Sequence, residues 1–200
     1  MASTSAKTST TQSSTGADAP QPIQRVVLTG FMGSGKSTVG CSLARRLGWR
    51  FVDLDSLIEQ RDGRAVSRIF DESGEAAFRA MENEALTSSL QESRLVIALG
   101  GGALETSANR HALSVASQTC TILLTASFET LYNRCQQQIV TAADSPLPAR
   151  PLLGDRETAA ARLARRDANY RKMANLILDT TSQEPEESVE ALLALLNGIL

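Results

Sequence analysis

The stretch "VVLTGFMGSGKSTVG", residues 26–40, leaves a chain few choices. An apolar run ends in Gly30, a loop of small residues follows, and Lys36, Ser37 and Thr38 open a segment with helical spacing. The pattern G-x-x-x-x-G-K-[ST] runs from Gly30 to Ser37. Its glycines let the backbone wrap closely and turn several N–H groups inward, and the first turn of the following helix adds partial positive charge. Gly33, Ser34 and Gly35 then offer backbone to a nucleotide's phosphates, and Lys36 reaches the β- and γ-phosphates. The Ser37 hydroxyl suits Mg²⁺, and Thr38 contacts phosphate or caps the first turn. The flanking strand and helix favour this reading over a structural glycine turn. It names ATP or GTP and leaves the acceptor open.

Strand and helix patterns alternate from Ile23 onward. "IQRVVLTG" predicts a buried strand, and "STVGCSLARRLG" a helix with Val39, Leu43 and Leu47 on one side and Gly48 as its stop. "RFVDLD" reads as a second strand, and "RLVIALGGG" as a third that runs into glycines. Between them "GEAAFRAMENEALTSSLQES" predicts a helix with Phe78, Met81, Ala85, Leu86 and Leu90 along one side. "QTCTILLTA" and "NLILDTT" are the fourth and fifth strands. "FETLYNRCQQQ", "RETAAARLARRDANYRKMA" and "PEESVEALLALLNGIL" are the later helices. Such alternation predicts one α/β domain, a parallel sheet with helices on both faces. The stretch from Gln138 to Asp155 breaks the rhythm and carries Pro146, Pro148 and Pro151. A loop of that length is either a solvated excursion or a lid, and Arg150 within "RPLL" favours a lid.

A formal net charge of -2 provides no basic surface for nucleic acid or an anionic membrane. No run of about 20 apolar residues is present to span a bilayer. Cys41, Cys120 and Cys135 lack C-x-x-C spacing, so neither a disulfide framework nor a zinc site is expected. Cys41 and Cys120, set among apolar residues, are expected to be buried free thiols in a reducing, cytoplasmic setting. Residues 1–24 are rich in Ser, Thr, Ala and Gln and lack the apolar stretch of a secretory signal. A disordered tail is expected there, too short and polar for a DNA-binding helix-turn-helix.

Four further features bear on the acceptor. In an extended "FVDLD", Asp53 and Asp55 project to one face at a strand's C-terminal end, where open α/β sheets bind ligands. Phosphoryl transfer needs one acid near Mg²⁺ and one to take a hydroxyl proton or orient its oxygen. Capping of the following "SLIEQ" by Asp55 is the alternative, although a cap needs only one aspartate. Arg79 and Glu82, three apart on a helix, form either a surface pair or a cleft pair in which Glu82 holds Arg79 toward an anion. Gly100, Gly101 and Gly102 follow a strand directly, and close approach of backbone to a ligand explains them better than a turn. Arg165 and Arg166, shortly before Tyr170, are either a solvated face or part of a site. His111, the only histidine, has no partner for metal or nucleophilic chemistry and is expected to be structural or exposed. Trp49 is expected to pack at a helix end.

In order along the chain stand "GFMGSGKSTVG", "FVDLD", "DGRAVSRIFDESGEAAFRAME", "IALGGGAL", "RPLL", "ARRDANY" and "ILDTT". With these stretches, Ile23 to about Pro185 resembles the shikimate kinase family, ATP-dependent enzymes of the aromatic amino-acid pathway. The resemblance implies a three-layer α/β/α P-loop kinase of nucleoside monophosphate kinase-like type, with a five-stranded parallel sheet and a mobile lid at about 138–155. It implies transfer of the ATP γ-phosphoryl group to the 3-hydroxyl of shikimate. It also implies Mg²⁺ as cofactor, a monomer, and no nucleic-acid or membrane partner. By the same resemblance Asp55 is the favoured base and Asp53 lies near Mg²⁺ with Ser37. Arg79 and Arg166 hold the shikimate carboxylate, Glu82 steadies Arg79, and the triple glycine faces the substrate's hydroxyls. Arg150 is the lid arginine that moves onto the phosphates, a closure that also excludes water. Arg134 stacks on adenine, and Pro185 lines the other side of the base.

Ala168 departs from the family, which often has proline there, and the lid is longer than usual. A gluconate kinase or nucleoside monophosphate kinase is the nearest alternative; the triple glycine and "FRAME" argue against both. A non-catalytic kinase-like module would be expected to have lost residues such as Lys36, Asp55 or Arg79, all of which are present.

Overall fold

The apolar run at Arg25–Thr29 forms β1, buried along its whole length. A strand enclosed on both faces is what a central position in a parallel sheet requires. The computed structural model describes residues 21–142, of which 138–142 as backbone only, and residues 155–200. Most of the expected tail, and most of the expected lid including Arg150, lie outside the described residues. At the edge of the expected tail, Ile23 N–H donates to Ile199 O and Gln24 N–H to Gln118 O, both at 2.8 Å. The domain therefore takes hold of the chain two residues before β1.

β1 is followed by α1 (Lys36–Leu47), β2 (Arg50–Asp53), α2 (Leu54–Asp62), α3 (Val66–Ser89) and β3 (Leu95–Ala98). A 3₁₀ turn (Ala103–Glu105) leads into α4 (Ser107–Ser114) and β4 (Thr119–Thr125). Then come α5 (Phe128–Ala142), α6 (Arg156–Met173), β5 (Leu176–Asp179) and α7 (Pro185–Leu196). All strand pairs are parallel, in the order β2-β3-β1-β4-β5. The predicted five-stranded parallel sheet is thus present, and every strand's C-terminal end lies along one edge. The chain leaves β1 between its neighbours β3 and β4, where such sheets open a crevice for ligands.

Alternation along each strand divides the core in two. Val26 and Leu28 of β1, with Ile122 and Leu124 of β4, face α1 and α7. Leu43, Leu192 and Leu196 are completely enclosed there, each burial stabilising by about 1.5–3 kcal/mol. Val27, Ile97 and Leu123 face the other way, toward α2, α3 and Tyr170 of α6. The thiols sort differently from expectation: Cys120 is buried, but Cys41 is exposed and Cys135 is the second buried one. Cys41 sits on α1 away from the face that buries Val39, Gly40, Leu43 and Ala44. His111 is exposed on α4, and Trp49 packs partly buried against the α1–α7 layer.

Helix ends follow their local chemistry. Gly48 ends α1 in a left-handed conformation, its N–H bonded to carbonyls of the last turn. Asp155 caps α6 by accepting from Thr158 N–H at 2.8 Å. Pro185 opens α7 behind a capping box of Glu184 and Glu187. The helix expected from Gly74 is only the second half of α3: a first half begins at Val66, and Gly74 (φ 79°, ψ 168°) breaks the two apart. The rings of Phe70 and Phe78 meet across the break, centroids 4.6 Å apart. α5 continues to Ala142, into the stretch expected to be loop.

Gly30, at the end of β1, has φ 141°, and a Cβ there would lie 2.2 Å from the Leu124 carbonyl oxygen of β4. Backbone cannot yield as a side-chain tip can. Gly30→Ala is therefore expected to destabilise the domain by roughly 2–4 kcal/mol. That corresponds to a fall of about 5–15 °C in Tm, which calorimetry would measure.

Candidate active site

The loop from Gly30 to Gly35 delivers the chain to α1 without a side-chain cap: Gly35 is the N-cap, at φ 89°. The first N–H groups of α1 therefore face the loop unused by any capping side chain, as an anion site requires. Lys36 folds back over the loop, its Nζ donating to Gly30 O at 2.8 Å and Phe31 O at 2.9 Å. The ammonium thus sits across the concavity that a phosphate would enter. Ser34 is buried, and its hydroxyl has no partner among the described residues.

Ser37 Oγ donates to Asp53 Oδ2 at 2.6 Å, so the motif hydroxyl and the first aspartate lie side by side. Asp53 also caps α2, its Oδ1 accepting from Ser56 N–H at 3.3 Å. Here the structure corrects the expected geometry. The extended chain ends at Asp53, and Asp55 stands in the first turn of α2. The two carboxylates are therefore not presented by strand alternation, and the cap is Asp53, not Asp55. The helical turn carries Asp55 toward the end of β3 instead, where a Cβ on Gly100 would lie 2.6 Å from its Oδ1.

On the other flank of the loop a cleft of about 360 Å³ is lined by Gly33, Gly35, Thr38, Arg134, Gln183 and Pro185, among others. Arg134 is fixed in its wall, donating to Thr180 Oγ1 (3.1 Å), Thr180 O (2.8 Å) and Gln183 O (3.2 Å). The two residues expected around the base, Arg134 and Pro185, are thus brought together beside the phosphate loop.

The glycine run at the end of β3 is where the remaining expected residues converge. A Cβ on Gly102 would lie 2.6 Å from Arg79 Nη2 and 3.1 Å from Arg166 Nη2, and one on Gly101 3.6 Å from Arg166 Nη1. Arg79 faces the cleft and is not a surface residue. Its Nη1 donates to Glu82 Oε2 at 2.9 Å, and its Nη2 to Glu75 Oε1 at 3.1 Å. Burial opposes the charge on Arg79, but Glu82 and Glu75 outweigh it and hold the guanidinium protonated.

Glu82 is completely enclosed. Asn109 of α4 donates to its Oε2 at 3.2 Å while also donating to Ala103 O at 2.9 Å. Its Oε1 has no hydrogen-bond partner among the described residues and faces Gly100, 3.2 Å from where a Cβ would stand. Burial pushes the Glu82 carboxyl up to about 7; Arg79 and Asn109 pull against that rise and the Asp55 charge adds to it. Tyr170 donates its hydroxyl to Gly101 O, and burial pushes that phenol up to about 12, so it stays a donor.

Three residues in this arrangement carried no role in the sequence reading: Glu75, Glu105 and Asn109. Glu105 pairs with both Arg165 (2.7 Å) and Arg166 (2.6 Å). Only the position of Glu75, four residues before Arg79 on a helical pattern, carried a local signal. Among the described residues no three His, Cys, Asp or Glu side chains form a metal-binding group. No helix of these residues is long and apolar enough to cross a membrane.

Comparison with known proteins bears on the family and the fold. The family model described as Shikimate kinase matches residues 32–197. A curated shikimate kinase of Geobacter metallireducens is 40% identical over 180 residues, covering 90% of this chain and 96% of its own. One from Lactococcus lactis is 38% identical over 82% of this chain and 93% of its own. Shikimate kinase from Acinetobacter baumannii, solved in complex with shikimate, superposes with a TM-score of 0.76 at 30% identity, covering 86% of this chain and 92% of that one. The enzyme from Bacteroides thetaiotaomicron gives 0.74 at 31% identity, over 86% and 98%. With a phosphate loop, paired arginines and a bare glycine strand end in one crevice, and these likenesses over most of its length, the chain belongs to the shikimate kinase family.

Proposed function

We propose that this chain transfers the γ-phosphoryl group of ATP to the 3-hydroxyl of shikimate, giving shikimate 3-phosphate and ADP. The observation that carries the reading is the convergence of Arg79 and Arg166 on Gly102, with Asp55 at Gly100, in the crevice shared with the phosphate loop. Two guanidiniums over bare backbone fit a carboxylate, and a carboxylate beside them fits a reacting hydroxyl.

Lys36 leaves the Gly30 and Phe31 carbonyls for the β- and γ-phosphate oxygens, and the loop N–H groups hold the rest of the chain of phosphates. Gly33, Ser34, Gly35 and Thr38 line that side, with Arg134 and Pro185 along the base. Asp55 orients the 3-hydroxyl and takes its proton as the bond to phosphorus forms. Arg79, steadied by Glu82, and Arg166 fix the carboxylate end, so the hydroxyl is held in line rather than found by diffusion. Gly100, Gly101 and Gly102 present backbone to the remaining hydroxyls. Arg150 completes the charge stabilisation of the transferring group. Ser37 and Asp53 are adjacent hard oxygen donors, a set that fits Mg²⁺, which takes few protein ligands and keeps water and phosphate oxygens. They would hold it, and it would supply neutralisation of phosphate charge.

ADP release with Mg²⁺-ATP, measured with shikimate, gluconate or a nucleoside monophosphate, tests the acceptor. Stimulation by shikimate alone is expected; stimulation by either rival in its place would overturn the reading. Lys36→Ala and Asp55→Asn should each lower kcat at least about 100-fold with the far-UV spectrum unchanged. Arg79→Ala or Arg166→Ala should raise the KM for shikimate roughly 10–100-fold, the loss of one charge-assisted contact, and leave that for ATP within about twofold. Arg150→Ala is expected to lose turnover at nearly unchanged shikimate affinity.

The raised Glu82 carboxyl makes a separate prediction about stability. Its ordinary value is 4.5 and its folded value about 7, so between those pH values the folded state binds the extra proton and stability falls as pH rises. The total is at most about 3.5 kcal/mol at about 1.4 kcal/mol per unit. Glu82→Gln should remove that slope. The difference in unfolding free energy between variant and wild type should grow in the variant's favour from pH 4.5 to 7 and level off above. Chemical denaturation across that range would show it, and parallel profiles would refute it.

A further inference from the structure

Glu105 stands on the 3₁₀ turn that springs directly from the glycine run: its N–H donates to Gly102 O at 2.9 Å, and Ala103 N–H to Gly100 O at 3.0 Å. Its backbone is therefore referenced to the same glycines that floor the acceptor site. Its carboxylate lies between two guanidiniums. Oε2 accepts from Arg166 Nε at 2.8 Å and lies 2.6 Å from Nη2, and Oε1 accepts from Arg165 Nε at 3.0 Å and lies 2.7 Å from Nη2. Only 12% of the Arg166 side chain is exposed, against 67% of Arg165, so the pair is anchored on its inner side. Burial raises the Glu105 carboxyl, but the two arginines more than reverse this and keep it ionised.

The division of donors on Arg166 is informative. A single oxygen of Glu105 takes the Nε–Nη2 edge, while Nη1 points to the glycine floor near Gly101. Arg79 is held in the same way, with one oxygen of Glu75 on its Nε–Nη2 edge and Glu82 on Nη1. Each cleft arginine thus has an acid on its Nε–Nη2 edge, although Nη2 of both also reaches the floor at Gly102. A guanidinium on a long, freely rotating stem loses rotamer entropy when it is held in one place, and Arg165 beside it repels it. Glu105 is the anion that holds Arg166 over Gly102 against this repulsion, with the Tyr170 hydroxyl as a further, uncharged partner of the guanidinium.

We propose that Glu105 is a positioning residue for the acceptor: it fixes Arg166 by its Nε–Nη2 edge so that the Nη1 end meets the shikimate carboxylate. Because Glu105 takes the Nε–Nη2 edge and leaves Nη1 for the substrate, it steadies the arginine and does not compete for that donor. This rests on the reading of Arg166 as a carboxylate-binding residue.

Steady-state kinetics of Glu105→Gln and Glu105→Ala test it, alone and combined with Arg166→Ala. The expected result is a shikimate KM raised about 3–10-fold in both single variants, with kcat and the KM for ATP within about twofold. In the Arg166→Ala background, adding either change should have no further effect, because Glu105 acts only through Arg166. A merely structural loss would instead move kcat and both KM values together and add to the Arg166 defect. Unchanged or lowered shikimate KM in Glu105→Gln overturns the proposal, a lowered value marking Glu105 as a competitor. If Arg166→Ala raises the KM while the Glu105 variants do not, only the proposal for Glu105 fails. If Arg166→Ala leaves the KM unchanged, the reading of the site fails with it. Glu105→Gln keeps the side chain's size and decides the matter should Glu105→Ala unfold.

Discussion

The crevice proposed to take the acceptor exists because the backbone at the end of β3 is bare. A methyl group on Gly100 would stand 2.6 Å from Asp55 and 3.2 Å from Glu82, and one on Gly102 2.6 Å from Arg79 and 3.1 Å from Arg166. Four charged groups from three helices are packed onto a surface with no side chains of its own. Glycine in an ordered segment costs conformational entropy. Here that cost lets two acids and two guanidiniums approach a common point. The sheet supplies the rest: parallel pairing throughout puts this strand end beside the phosphate loop that leaves β1.

The charges are arranged so that each arginine is held from behind. Glu75 and Glu82 grip Arg79, and Glu105 grips Arg166 while also meeting Arg165. Burying charge is costly unless it is paired and hydrogen-bonded. Glu82 is completely enclosed, with one oxygen satisfied by Arg79 and Asn109 and the other without a partner among the described residues. Its raised carboxyl measures the strain of keeping an anion in the core so that a cation can face the cleft. The nucleotide side is built on another principle. The loop proposed to take the phosphates presents backbone N–H groups, a helix end and Lys36, which need no buried acid.

Much of this was legible along the chain. Buried parallel strands read as continuous apolar runs and their helices as amphipathic ones, so the alternation from Ile23 onward announced the sheet. The phosphate loop is local too: strand, glycines, Lys36 and Ser37 are contiguous. What failed were inferences that extended a local rule past its element. Alternation gave Asp53 and Asp55 a common face, but the strand ends at Asp53 and a helical turn carries Asp55 elsewhere. Apolar neighbours suggested a buried Cys41, but the core face of α1 excludes it, whereas Cys135 lies against the phosphate loop, its Sγ 2.9 Å from where a Cβ on Gly33 would stand.

The sequence by itself determined the elements, the phosphate-binding motif and the residue types of the acceptor site, because hydrophobic period, glycine geometry and helix spacing act over a few residues. It showed that Arg79 and Glu82 share a helical face. The tertiary structure decided which face, by enclosing Glu82 beneath Asn109 and aiming Arg79 over Gly102. It also decided that Glu105 meets Arg166 across 61 positions of chain. No local pattern encodes that pairing, since it depends on where α6 crosses the end of β3. That crossing is set by the packing of helices on the sheet as a whole.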